Sequence, residues 1–233
     1  MGKIKVMSES LSNKIAAGEV VEKVSSVVKE LVENSIDAGS NIIEVSLVDA
    51  GIKEIKVIDN GKGMDKEDAL LCFSPHATSK IRNENDLFFI NTLGFRGEAL
   101  PSIASVSDVF LDTSNRSDST LVHIKGGKLE SNEVGTVSKG TKIIVRDLFF
   151  NTPARLKFLK SYYTELNGVV SLIEKLSLSH PNISFKLSSD NKELIKTSGS
   201  NDLLKTIYEI YGYNVSKNMV YIEGHNDDYD ING

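Results

Sequence analysis

Between Val20 and Ile36 the apolar residues Val21, Val24, Val27, Val28, Leu31 and Val32 recur at three- and four-residue spacing, the period of a helix with one buried stripe. At about 100° per residue the same winding gathers Glu30, Asn34 and Asp37 into one narrow polar arc. Beyond Gly39, a sound helix stop after Ala38, the period changes from helical to alternating. Ile42 to Val48 and Glu54 to Asp59 read as strands rich in β-branched residues. The short link Asp49-Ala50-Gly51 between them predicts an antiparallel pair. Further strands are predicted at Val106 to Thr113, Thr120 to Ile124, Thr141 to Asp147, Ile183 to Leu187, Glu193 to Thr197 and Met219 to Glu223, with another opening at Tyr229 to Gly233. Helices are predicted at Leu11 to Ala17, Lys66 to Phe73, Glu98 to Ser105, Ala154 to Lys160, Tyr163 to His180 and Asp202 to Tyr211. Asp65 is a sound N-cap for the second of these, with Asp68 in the capping-box position. Short strand connections predict antiparallel pairing with helices gathered on one face, an α+β fold.

Composition narrows this picture only slightly. A chain of 233 residues with 40% hydrophobic residues can bury a sizeable core as one large or two modest domains. Cys72, the single cysteine, lies in the apolar run Leu70-Leu71-Cys72-Phe73, so it reads as a core filler and a reducing cytoplasm is favoured. No apolar run approaches the ~20 residues of a membrane span. The net charge of −5 argues against a broad DNA-gripping surface. A local patch at Arg155, Lys157 and Lys160 stays open, as does its reading as a solvated helix face. His76, His123, His180 and His225 are scattered and form no metal-ligand spacing.

The candidate chemistry lies in the polar arc and in the turn Asp59-Asn60-Gly61-Lys62-Gly63. A carboxylate and a carboxamide four residues apart on one helix can face one cavity as general base and metal ligand. The same residues also suit a plain solvated face. Gly61 and Gly63 supply the backbone freedom of a ligand-facing turn, although Asn60-Gly61 is equally a hairpin signal. No Gly-x-x-x-x-Gly-Lys-Ser/Thr segment is present, so any nucleotide site here owes nothing to a P-loop.

The helix resembles the Glu-x-x-x-Asn-x-x-Asp pattern, and the turn the Asp-x-Gly-x-Gly pattern, of the ATPases that group gyrase B, the Hsp90 chaperones, histidine kinases and MutL. Three further segments resemble the MutL family in particular. Asn13-Lys14-Ile15-Ala16-Ala17-Gly18-Glu19-Val20-Val21-Glu22 is similar to its amino-terminal signature. His76-Ala77-Thr78-Ser79-Lys80, with Gly94-Phe95-Arg96-Gly97-Glu98-Ala99-Leu100, is similar to its ATP lid, and Asp147 to Arg155 carries the likeness through the central region. One departure is visible: the family usually follows Val-Val-Glu with Arg-Pro, where this chain has Lys23-Val24, and without that proline the helix could start a turn earlier. Pro101 stands where the family often has a small residue, so the lid-proximal helix is expected to begin near Gly97, with the proline in its first turn.

The resemblance implies a Bergerat-type ATPase fold, a two-layer α/β sandwich with helices on one face of a mixed, largely antiparallel sheet, with ATP and Mg²⁺ as ligands, and it implies the role of each residue. Glu30 is the general base. Asn34 gives its amide oxygen to the metal and Asp37 belongs to the same site. Asp59 reads adenine, helped by Thr141, which would otherwise be a strand-opening threonine. An ionised carboxylate only accepts hydrogen bonds, which suits the amine of adenine and opposes the carbonyl of guanine. Gly63 lines the pocket. Thr78, Ser79, Lys80, Gly94, Phe95, Arg96, Gly97, Glu98, Ala99 and Leu100 enclose the phosphates, with His76 as part of the lid motif. The implied partners are a second copy of the protein in an ATP-dependent homodimer, a mismatch-recognition protein of the MutS type, and weakly bound DNA. A gyrase-B-like ATPase and a non-hydrolysing adaptor are the alternatives. Residues 1–212 are expected to form the ATP-binding domain and 213–233 to open a truncated second β-rich domain, which in the family brings a lysine to the phosphates.

Overall fold

The apolar stripe of the first long helix is buried without exception in the computed structural model, which describes residues 18, 21–80, 86, 93–94, 97–226 and 229–233. Val21, Val24, Val27, Val28, Leu31 and Val32 are each at most 3% exposed. The predicted helix Leu11 to Ala17 lies outside the described residues, as does most of the amino-terminal signature. Helix α1 is Val24–Asp37. It starts later than the pattern placed it, and the reason lies elsewhere in the chain. Lys23, at the N-cap, is extended and makes no side-chain cap. The first helical N–H, that of Val24, donates instead to Glu165 Oε2 at 3.3 Å.

Glu165 is itself only 4% exposed and takes the Lys160 N–H on its other oxygen at 3.0 Å. Removing it strands two backbone donors, each worth about 1–3 kcal/mol when buried and unsatisfied. Glu165→Ala is therefore expected to lower the urea midpoint at unchanged slope, with Glu165→Gln, which keeps one acceptor, falling between. Equal midpoints for wild type and Glu165→Ala would contradict this capping role.

After α1 the chain follows its predicted course. Strands β1 (Ile42–Val48) and β2 (Glu54–Asp59) flank a single 3-10 turn and pair antiparallel, Val45 facing Val57. Helix α2 (Lys66–Leu71) is capped by Asp65, whose carboxylate accepts the Asp68 N–H at 2.8 Å. Helix α3 (Ala99–Ser105) begins two residues past Gly97, with Pro101 in its first turn. Strands β3 (Asp108–Ser114), β4 (Ser119–Lys125), β5 (Lys128–Val134) and β6 (Gly140–Arg146) follow. The pattern missed β5 because it is an edge strand beside β4 whose side chains are mostly polar and none of them buried, so no apolar alternation marks it. Its hairpin signal was nevertheless present in Gly126-Gly127, both at positive φ.

The helix predicted at Ala154 to Lys160 is shorter, a single turn, α4 (Pro153–Leu156). The Lys160 N–H belongs to Glu165, and Ser161 starts the next helix, α5 (Tyr162–Ser179). Then come β7 (Ser184–Ser189), β8 (Lys192–Lys196), α6 (Leu203–Tyr211) and the short α7 (Tyr213–Ser216). The strand predicted at Met219 to Glu223 is displaced to β9, Glu223–His225, which pairs with β10, Asp230–Asn232, inside the strand predicted from Tyr229.

Eight strands form one sheet in the order β5-β4-β3-β6-β2-β1-β7-β8, with β1 and β7 its parallel pair. Alternation decides which face is covered. Ile43, Val45, Leu47, Ile55, Val57, Leu111, Ile143, Val145, Phe185 and Leu187 all point to the helices and are buried with α1 and α5 in one core. Their sequence neighbours, such as Glu44, Lys56, Lys142 and Arg146, face the other way. This is the α+β sandwich expected, a mixed sheet with its helices on one face.

Candidate functional site

Strand β2 ends at Asp59 on the covered face, which brings a carboxylate under α1. It is 8% exposed. Ser35 of α1 donates to Oδ2 at 2.9 Å, while Ser40 and the Gly61 N–H donate to Oδ1 at 3.2 and 2.9 Å. Burial pushes the Asp59 carboxyl above the ordinary aspartate range, against the opposing pull of Gly61, Ser35, Ser40 and Thr141. Thr141 faces Asp59 across the β2–β6 pair, and its hydroxyl lies 3.0 Å from that of Thr113. Thr113 also receives the Met64 N–H at 3.1 Å, tying the turn after β2 to β3.

Glycine is required in this turn for a packing reason. Gly63 has φ +66°, and a Cβ on it would stand 1.9 Å from the Ser114 carbonyl oxygen. Asn60 does not face the pocket; its Oδ1 accepts the N–H groups of Asn41 and Ile42 at 3.0 and 3.1 Å.

Asn34, one residue before Ser35, turns to a second cluster. Its Oδ1 accepts from Lys80 Nζ at 3.0 Å, and the same ammonium donates to Asp37 Oδ2 at 2.5 Å. Asp37 also accepts the Leu93 and Gly94 N–H groups at 3.2 and 3.4 Å. One helical turn earlier, Glu30 is part-exposed, its Oε1 3.4 Å from Lys29 Nζ, which binds Glu33 at 2.8 Å. The Thr78 hydroxyl accepts the Lys80 N–H at 3.2 Å, with Ser79 between them. His76 and Glu98 pair Nδ1 to Oε1 at 2.5 Å, joining the two ends of the lid segment. Gly97, at φ +65°, lies where a Cβ would meet the Ala77 carbonyl oxygen at 2.5 Å. Ala99 and Leu100 open α3, while Phe95 and Arg96 lie outside the described residues.

Helix α1 thus serves two clusters: Ser35 on its buried side holds the Asp59 carboxylate, and Asn34 and Asp37 on the polar arc hold the Lys80 ammonium. Sequence reading missed Ser35 and Ser40. The available signal was Ser35 itself, a hydroxyl four residues after Leu31 on the otherwise apolar stripe.

No group of three or more His, Cys, Asp or Glu is placed to hold a metal among the described residues. Magnesium needs only one or two protein oxygens, since it keeps several waters. Asn34 and Asp37 already turn their oxygens onto one positive charge, so this donor set fits a hard cation. Cys72 packs against the core, and burial pushes its thiol up to about 12, which makes it inert. Arg155 is turned inward, where a Cβ on Gly18 would stand 2.0 Å from its Nη2, whereas Lys157 and Lys160 are exposed. No described helix is long and apolar enough to cross a membrane.

A sheet covered on one face, with a buried aspartate below an asparagine-bearing helix, is the architecture of a known class. Residues 22–149 match the family described as histidine kinase-, DNA gyrase B-, and HSP90-like ATPase. The whole chain is 54% identical to DNA mismatch repair protein MutL of a Geobacillus species and 53% identical to that of Anoxybacillus flavithermus, covering 38% of each. Among solved structures it is similar to the Aquifex aeolicus MutL ATPase domain complexed with ADP, at 31% identity over 88% of this chain and 72% of that one, TM-score 0.66. It is similar also to the N-terminal domain of a DNA repair protein, at 26% identity over 91% of this chain and 63% of that one, TM-score 0.77. The chain belongs to the MutL family of DNA mismatch repair proteins. It spans 38% of the length of the curated relatives named here.

Proposed function

We propose that this chain is the ATP-binding and ATP-hydrolysing region of a MutL-type mismatch repair protein. The observation that carries the reading is Asp59, a buried carboxylate held by hydroxyl and N–H donors one helix position away from the Asn34 cluster. A single helix therefore spans a base-reading end and a phosphate end. Asp59, with Thr141 beside it, accepts the exocyclic amine of adenine. Gly63 lets the backbone close over the base. Glu30, on the same arc as Asn34, orients and deprotonates the water that attacks the γ-phosphate. Asn34 would hold Mg²⁺, and Asp37 shapes the same end of the site. The chemistry such a cation would supply there is neutralisation of phosphate charge. Thr78, Ser79, Lys80, Gly94, Phe95, Arg96, Gly97, Glu98, Ala99 and Leu100 form the lid around the phosphates.

Closure of that lid on ATP would bring two copies of the protein together, and hydrolysis would release them, so the nucleotide switches the recruitment of a MutS-type partner. Lys157 and Lys160 are the exposed cations of a weak DNA contact, with Arg155 set behind them. Residues 1–212 make the ATP-binding unit and 213–233 open the next one. The protein acts in the cytoplasm.

Equilibrium binding in the presence of magnesium tests the reading. ATP and ADP are expected to bind, and GTP at least about 100-fold more weakly, because guanine presents a carbonyl where Asp59 is placed to accept the amine of adenine. Equal affinity for the two purines would reject Asp59 as the base reader.

A further inference from the structure

The positive charge on Asn34 comes from the chain itself. Lys80 Nζ reaches both Asn34 Oδ1 and Asp37 Oδ2, with only 19% of its side chain exposed. The oxygen that would serve the metal is therefore the oxygen the ammonium uses. Asp37, with 9% of its side chain exposed, gathers more than this one partner. It holds the Leu93 N–H on one oxygen and the Gly94 N–H on the other, so a single carboxylate ties two stretches of the lid motif to α1.

We propose that Lys80 and a divalent cation compete for Asn34, so that the metal enters this site only as the ammonium leaves it. The inference rests on the nucleotide reading above and adds a rule of mutual exclusion to its metal site. The physical reason is proximity. A metal and an ammonium on one amide oxygen would lie within about 5 Å of each other, where a part-buried site screens their repulsion poorly. A lysine suits such an exchange, because its charge is a compact point on a flexible stem and can swing to another anion. Phosphate oxygens of the nucleotide are the anions nearest to hand on this reading. Asp37 decides how firmly the ammonium is held, which makes it a positioning residue for the metal although it need never touch it.

Two titrations on this chain decide the matter. In the first, Mn²⁺ alone is added to wild type and Lys80→Met, and bound metal is read by electron paramagnetic resonance. In the second, ADP binding is followed as a function of Mg²⁺ concentration in wild type, Lys80→Met and Asp37→Asn. Competition predicts tighter Mn²⁺ binding by Lys80→Met. It also predicts a Mg²⁺ midpoint roughly 5- to 10-fold lower in both variants, the size of an ordinary coupling between sites. Lys80→Met should at the same time hold ADP less well without metal, having lost a cation. Unchanged or raised metal midpoints would overturn the proposal and leave Lys80 as a simple phosphate contact. Failure of every form to bind ADP would reject the nucleotide reading instead, while the Mn²⁺ arm would still decide the competition.

Discussion

Asp59→Asn is expected to give a folded protein that no longer holds ATP. The substitution fits the space. An asparagine can keep its oxygen on the Gly61 N–H and Ser40, which bond Asp59 Oδ1 at 2.9 and 3.2 Å, and turn its amide toward Ser35. The Ser35 hydroxyl is also 3.1 Å from the Leu31 carbonyl, so it can donate there and accept from the new amide. Adenine fares worse. An acceptor aimed at its amine becomes in part a donor, and a site built to hydrogen-bond a group rejects the mismatch by about 100-fold or more. Stability moves the other way. Burial raises the Asp59 carboxyl above its ordinary value of 3.8, so the fold favours the protonated form. That contribution is complete below the unfolded value and is lost as pH rises through the folded value. Asp59→Asn should therefore melt at the same or a higher temperature than wild type at pH 7, with any advantage shrinking toward about pH 4. Isothermal titration with ATP, beside thermal melts across this range, tests both halves. Retained ATP affinity would remove Asp59 from the binding site.

Glu30→Ala should do the reverse, keeping ATP and losing turnover. Glu30 is part-exposed, and its nearest charged neighbour is Lys29 at 3.4 Å. Alanine favours the helix, so neither fold nor binding depends on the carboxylate. A positioned general base typically contributes about 10²- to 10⁴-fold to rate, and that is the expected fall in kcat. Asn34→Ala should instead weaken nucleotide binding in magnesium, since it removes the proposed metal oxygen. The measurement belongs on a chain carried to the length of its relatives, of which this one spans 38%. Glu30→Ala turning over at the wild-type rate, or Asn34→Ala binding as well as wild type, would reject these roles.

Much of the site was legible from residue spacing. Glu30, Asn34 and Asp37 share an arc because a helix repeats every few residues, whatever else the chain does. The glycines of the turn announce a close approach, and Gly63 makes one against Ser114. Less legible was what each polar group would touch. Asp37 reads as a pocket residue, yet in the structure its carboxylate holds Lys80, Leu93 and Gly94. Ser35 reads as an interruption of the apolar stripe, yet it orients Asp59.

By itself the sequence determined what neighbouring residues decide among themselves: the buried stripe of α1, both bounds of β1 and β2, the Asp65 cap on α2 and the stop at Gly39. Each depends on contacts within a turn or two, so periodicity and local hydrogen bonding suffice. Only the tertiary structure decided where α1 begins, which carboxylate is held by which hydroxyl, and whose charge rests on Asn34. Those contacts join residues separated by 141 positions for Glu165 and Val24, 24 for Ser35 and Asp59, and 46 for Lys80 and Asn34. A side chain's partner at such separations is set by how the sheet and its helices pack together, and no local pattern encodes it.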